Sequence, residues 1–522
     1  MATGGIPGFS FSALGENISQ CPLEVVALTR MAFGPSPWFL EHFKSLGPNP
    51  KVRFKNFVEE QINPEKIDDK LCTDRLAREN FTTLNKSLTQ LWADHVVAAE
   101  VMKDNDKMPG ENKGTKEDPN KKKERDLRME PVNELERATW IKAVYSRRQL
   151  NEVLVGFWHN HFSVFGYEQK ISPVFVHYDR DVLRAHAWGN FREMLEAVAK
   201  SPAMLLYLDN AVNQSGNPNE NYARELFELH TLGAENYLGT MDRAKVPILP
   251  TGHAKGYVDG DVYESARCFT GWRIDQGKNS KETGQFDYFD QWHDRFQKIV
   301  LGHSLKEYQP PMKDGQDVLD LLAHHPGTAM FISRKLCRRF ICDNPSQKLV
   351  SRTAKVFRDN VNAHDQIKKT VRFILESEDF QDTWGQKIKR PFESVAGMLR
   401  ATEAEFVPTD RFIHSYERTG QRLFQWRTPD GYPDVHEKWL GANSMLEKWR
   451  LFHQLAINME GITIKETNPN DLLGSWPQKA LGRALQPTTR EAIKKFLDEG
   501  KGANWQPTAL ALVFMSPDFQ WS

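Results

Sequence analysis

Between Phe157 and Gly233 the chain crowds histidines, carboxylates, asparagines and aromatics into one stretch. In Phe157-Trp-His-Asn-His-Phe162, His159 and His161 would share a face on a strand and could grip one metal ion. On a helix they stand about 200° apart and cannot. Ser146-Arg-Arg-Gln149 has capping-box spacing and opens a stripe of Leu150, Val153, Leu154, Phe157, His161 and Val164, so a helix is predicted. That places His161 on the buried side and points His159 away from it, toward the surface or a supporting role.

The block Asn219-Glu-Asn-Tyr-Ala-Arg-Glu-Leu-Phe-Glu-Leu-His-Thr-Leu-Gly233 reads as a second helix, with Pro218 setting its start and Gly233 closing it. His230 falls inside the apolar arc of Tyr222, Ala223, Leu226, Phe227 and Leu229, and is predicted to be buried. Glu225 lies at the arc's edge, about 140° from His230. Asn221 shares a face with Glu225, where the two could bind a polar substrate or steady a ligand histidine. Glu220 and Arg224 have the favourable i, i+4 spacing of an ion pair. Glu225 and His230 do not make the i, i+3 Glu-x-x-His pair of carboxylate-bridged di-iron bundles.

Histidines from separate helices are the better metal candidates: His161 and His230, with His186 or the His293-Asp294 pair completing the shell. Sharing one ion at about 2.1 Å per bond requires His161 and His230 to come within about 4 to 5 Å of each other. Glu225, Asn221, Arg224 and Asp294 are the candidate catalytic groups. A loop histidine beside an aspartate, as at His293-Asp294, serves equally well as a base, a ligand or a turn-stabilising pair. The chain contains no Gly-x-Gly-x-x-Gly after a strand, Walker loop, Gly-x-Ser-x-Gly elbow or His-Glu-x-x-His, so nucleotide binding and serine hydrolysis lack support.

The elements that must position these groups are helical. Stripes predict helices near 315–324, 327–341, 346–359, 365–377, 391–405, 443–457, 488–499 and 508–515, besides one from Asp181 to Lys200 and one from Asp261 to Phe269. Strand is expected only as a small hairpin near 285–301. The fold class is mainly α: a large bundle-like assembly with an N-terminal helical region (1–102), a central one carrying the site (131–310) and a C-terminal one packed on it (311–522). Residues 103–130 turn to Lys, Glu, Asp, Asn, Gly and Pro, which reads as a flexible charged insertion that could dock a protein partner.

With 522 residues the chain can enclose a pocket. Sixty-nine Lys plus Arg against 69 Asp plus Glu give a formal charge of zero, so no global field recruits nucleic acid or an anionic membrane. Five cysteines, odd in number and without a Cys-x-x-Cys pair, argue for reduced thiols. No apolar run reaches membrane-spanning length and no export signal opens the chain, so it reads as cytoplasmic; an exported mature form stripped of its signal would read identically.

At Phe157-Trp-His-Asn-His-Phe162, Arg184-Ala-His-Ala187, Pro202-Ala-Met-Leu205, Tyr207-Leu-Asp-Asn210, the Asn219 to Gly233 block, Phe269-Thr-Gly-Trp272, His293-Asp294 and His325-Pro326, the sequence resembles the bacterial family called domain of unknown function eighteen hundred. The resemblance extends from the Leu28 region to Phe519. It implies a mainly helical protein of a family whose members are often exported, and it implies no particular reaction.

These residues support a metal-dependent enzyme, an oxidoreductase acting on a small organic substrate, with iron or copper favoured over zinc. The alternatives are a metal-dependent hydrolase, in which metal-bound water attacks an ester or amide, and a noncatalytic helical binding or assembly protein.

Overall fold

Amphipathic period is the strongest secondary-structure signal a sequence carries, and the chain folds accordingly. The helices Lys313–His324, Pro326–Phe340, Gln347–Asp359, Gln366–Leu375, Pro391–Ala401, Ala442–Ile457, Pro487–Asp498 and Trp505–Met515 match the eight predicted C-terminal segments to within a few residues. The computed structural model describes residues 21–105, 119–277, 282–464, 469–500 and 504–522, and over these the protein is mainly α. Buried apolar side chains form one cluster with members from Cys21 to Phe519. All five cysteines are unpaired and buried.

Strand is confined, among the described residues, to three two-stranded antiparallel sheets. The predicted hairpin is divided between two of them: Phe286–Tyr288 pairs with Trp272–Ile274, and Lys298–Val300 pairs with His303–Leu305. The two expected strands do not pair with each other: Phe286–Tyr288 turns back on Trp272–Ile274, and Lys298–Val300 closes a tight hairpin through Leu301 and Gly302.

Residues 119–130, expected to be irregular, begin the helix Pro119–Tyr145; residues 106–118 of that expected insertion lie outside the described residues. Arg128 pairs with Glu124 one turn back at 2.9 Å, and the amphipathic continuation through Val132, Leu135 and Ala138 carries the helix backward through a polar stretch. Farther along this helix, Trp140 packs edge-on against Phe392, Phe412 and Tyr416 at 4.6–4.8 Å, clamping it to the C-terminal helices.

The expected helix Asp181 to Lys200 is two elements. A π-helical segment, Tyr178–Arg184, precedes a break, and Phe191–Lys200 restarts where Asn190 accepts from Arg192 N at 2.9 Å. The second motif is likewise composite, α over Asn221–Glu225 and π over Leu226–Thr231, ending at Gly233 with φ 87°. Thr231 Oγ1 donates to Leu226 O, five residues back, at 2.6 Å. π-Turns are rare and recur at functional sites; of the three among the described residues, these two fall in the motif region and the third is Trp92–Val97. Ser146 and Gln149 form no capping box: the Gln149–His161 helix has Arg148 at its N-cap position, and Ser146 Oγ donates to Asp69.

Candidate functional site

The helix Gln149–His161 presents Glu152, Gly156, His159 and Asn160 at helical spacing along one face, and all four line a partly open cavity of about 100 Å³. The π-segment contributes Asp179 and Arg184, the Pro326–Phe340 helix Arg339, and the start of Pro391–Ala401 Arg390 and Glu393. Phe33, Phe392, Phe424, Trp426 and Tyr432 supply aromatic wall. A Cβ built on Gly156 would meet nothing within 4 Å, so this glycine leaves open space.

His159 is the imidazole of this cavity. Its Nε2–H donates to Asp179 Oδ1 at 2.8 Å, while Arg184 Nε donates to Asp179 Oδ2 at 2.7 Å and Arg184 Nη1 to Glu152 Oε1 at 2.9 Å. Burial opposes the Asp179 charge, but the Arg184 guanidinium and the His159 hydrogen bond hold its carboxyl far below the ordinary range. Glu152 is likewise depressed against its burial by Arg184 and Lys142. On the facing wall Glu393 pairs with Arg339 at 3.2 Å and Arg390 at 3.3 Å, which against burial pull it down to about 2. The cavity is therefore highly polar yet close to charge-balanced.

An irregular strap from Gln421 to Trp439 roofs the site. Asn160 grips it through both ends of its amide, accepting from Tyr432 N at 2.8 Å and donating to Tyr432 O at 2.9 Å. Gly431, at φ 75°, lies so close that a Cβ would come 2.2 Å from Asn160 O. Phe424 packs on the His159 ring at 4.9 Å. Long structureless connections in folded proteins are commonly functional.

The sequence-based assignment of His159 to the surface side is thus corrected. The wheel separated it properly from His161, but the face opposite the apolar stripe meets the π-segment and the strap instead of solvent. Glu152 was legible as a same-face neighbour seven residues before His159; Asp179, Arg339, Arg390 and Glu393 come from distant segments and carried no local signal.

None of the eight residues proposed from sequence lines this cavity. His161 and His230 are buried as predicted, at 1% and 0% exposure, with ring centres 6.4 Å apart. His186 is half-buried and engages Val182 O through Nδ1 at 2.7 Å. His293 contacts Asp314 at 3.2 Å and Thr270 O at 2.9 Å, so it has its own set of partners. Asp294 is held by Arg267 at 2.8 Å, and Arg224 by Glu220 at 3.1 Å and Asp259 at 3.3 Å; Asn221 is exposed. Glu225 is half-buried, and burial together with Glu228 pushes its carboxyl up to about 7. The four histidines therefore do not assemble as one ligand shell, because the wheel ranks faces within a helix and cannot rank distances between helices.

Among the described residues, the one group of three His, Cys, Asp or Glu side chains close enough to share an ion is Asp343, His436 and Glu437. There Asp343 is already engaged by Lys387 at 2.8 Å and by His436 Nδ1 at 2.6 Å, which leaves few free lone pairs.

Fold and cavity together define a helical protein with an ion-paired, histidine-bearing cavity beneath an irregular strap. The chain belongs to the family described as protein of unknown function (DUF1800), which it matches over residues 26–521. No curated protein and no solved structure matches it. Among the described residues no helix is long and apolar enough to cross a membrane.

Proposed function

We propose that the protein is an enzyme whose central step is proton transfer, with His159 as acid and base on a small polar organic substrate held in the cavity. The 2.8 Å hydrogen bond from His159 Nε2 to a buried, charge-stabilised Asp179 carries this reading. A carboxylate so placed fixes the tautomer and ring orientation and stabilises the imidazolium formed when His159 takes a proton at Nδ1. Arg184 anchors the carboxylate, so Asp179 is a positioning residue.

The substrate class follows from the walls. Each guanidinium already faces a carboxylate, so no surplus charge selects an ion, and the ring faces with paired polar groups suit a neutral hydroxyl- or amide-bearing molecule. The roof supports enclosure from water, which strengthens every polar contact inside.

Ligand-observed NMR over a panel of polyols, amides and esters tests this. Bound members should be displaced by Gly156→Leu, whose side chain occupies the open space, and converted by the wild type but not by His159→Asn. Binding indifferent to Gly156→Leu, or turnover indifferent to His159→Asn, would overturn the reading; binding without turnover would favour a noncatalytic module.

The metal-dependent oxidoreductase or hydrolase remains a second reading, supported by one observation: the His161 and His230 rings bury nitrogens that have no protein partner.

A further inference from the structure

The strap over the His159 cavity is held unevenly along its length. On its first stem Gly166 N donates to Phe424 O at 2.8 Å, Phe392 N donates to the Gln421 side chain at 2.9 Å, and Arg422 pairs with buried Glu136 at 3.2 Å. On its second stem Tyr432 is gripped by Asn160. The Tyr432 hydroxyl donates to Arg422 O at 2.6 Å, which ties the two stems to each other.

The tip between the stems, Gln425 to Asp430, is bound chiefly to itself. Trp426 Nε1 donates to Asp430 Oδ1 at 2.8 Å, and Thr428 Oγ1 donates to the same oxygen at 2.6 Å. Among the described residues, one hydrogen bond joins the tip to the protein outside the strap: Tyr207 OH donates to Arg427 O at 2.9 Å. Arg427 also lies over the Phe165 ring at 5.3 Å. Arg427, Thr428 and Asp430 are exposed. A short loop with joined, anchored ends and a middle packed on its own side chains is an Ω-loop, a form that is frequently functional.

The residues on either side of the tip are both left-handed, Phe424 at φ 59° and Gly431 at φ 75°. For a phenylalanine this conformation is strained, and strained residues cluster at ligand clamps and switch regions. Trp426 couples the tip to the cavity, which it lines. Its indole N–H is spent on Asp430, so what it offers a substrate is ring surface, 4.7 Å from the Tyr432 ring.

We propose that Gln425 to Asp430 form a flap, hinged at Phe424 and Gly431, that admits substrate to the His159 cavity, and that Trp426 selects what passes. Lifting the flap leaves both stems in place, breaks the single hydrogen bond to Tyr207 and withdraws one aromatic wall. The proposal rests on the acid–base reading for the cavity's being the substrate site, and on nothing about turnover.

Access to His159 Nδ1, the nitrogen that Asp179 leaves free, reports the flap directly. The full chain is treated with diethyl pyrocarbonate, which acylates imidazole, or with the bulkier di-tert-butyl pyrocarbonate. Mass spectrometry follows the peptides carrying His159 and, as reference, the exposed His414. Tyr207→Phe should speed reaction at His159 about fivefold, the worth of one hydrogen bond, and leave His414 unchanged. Trp426→Ala should narrow the preference of His159 for the smaller reagent, measured relative to His414; Trp426→Leu makes the same comparison should Trp426→Ala fail to fold. An unchanged His159 rate in Tyr207→Phe, or a His159 inert to the smaller reagent in both proteins, would overturn the flap. An unchanged size preference would overturn the role of Trp426. Because acylation is read and not catalysis, the flap can fail while His159 still proves to be the acid and base, and the reverse outcome is equally visible.

Discussion

Asp179 divides its two oxygens between a neutral ring and a permanent cation: Oδ1 accepts from His159 at 2.8 Å and Oδ2 from the Arg184 guanidinium at 2.7 Å, with 3% of the aspartate side chain exposed. A carboxylate used this way ties the histidine's orientation to the protein's electrostatic frame, and the two can be separated by substitution.

Asp179→Asn should remove one of the two carboxylates that neutralise buried Arg184, leaving Glu152 at 2.9 Å, and cost up to about 3 kcal/mol of stability. His159→Asn leaves the Asp179–Arg184 pair intact and should cost about 1 kcal/mol, the value of one hydrogen bond. Urea unfolding of the two variants measures the difference; equal costs would show that Arg184 does not depend on Asp179.

Acid should destabilise the metal-free protein well before the carboxylates protonate. His230 is held at about 3 against an ordinary 6.5, so below 6.5 the unfolded chain binds a proton that the folded chain refuses. Its contribution is fully present above 6.5 and is lost as pH falls toward 3, with a slope of about 1.4 kcal/mol per pH unit. Unfolding midpoints between pH 6.5 and 4 should therefore fall more gently in His230→Gln than in the wild type.

Glu225 should show the opposite sign. Its carboxyl is raised to about 7 by burial and Glu228, so its contribution is present below the unfolded value of 4.5 and disappears as pH rises through 7. Glu225→Gln should gain stability relative to the wild type at pH 8 and match it near pH 4, read from thermal midpoints at the two values.

The strap should depend on a single glycine. Gly431→Ala combines a positive φ with a Cβ 2.2 Å from Asn160 O, so the strap must lift from its anchor. We expect a loss exceeding about 1 kcal/mol and faster proteolysis between Gln421 and Trp439. Unchanged cleavage would mean that the Asn160 clamp does not hold the roof down.

Helices were readable because their signal is local: period, caps and prolines act within a few residues, and the segments beyond Lys313 follow them closely. The π-turns at Tyr178–Arg184 and Leu226–Thr231 were not, since a wheel presumes 3.6 residues per turn while each extra residue is accommodated by tertiary packing.

By itself the sequence determined the mainly α architecture, the burial of His161 and His230, the Glu220–Arg224 pair and the separation of His159 from His161 around their helix. All of these follow from spacing along one element. Only the tertiary structure decided that the side of the helix turned away from the apolar stripe faces a chamber, that Asp179, Arg339 and Glu393 meet there, and that His186 and His293 have other partners. Those outcomes depend on how the faces of separate elements pack, and no periodicity within one segment encodes them.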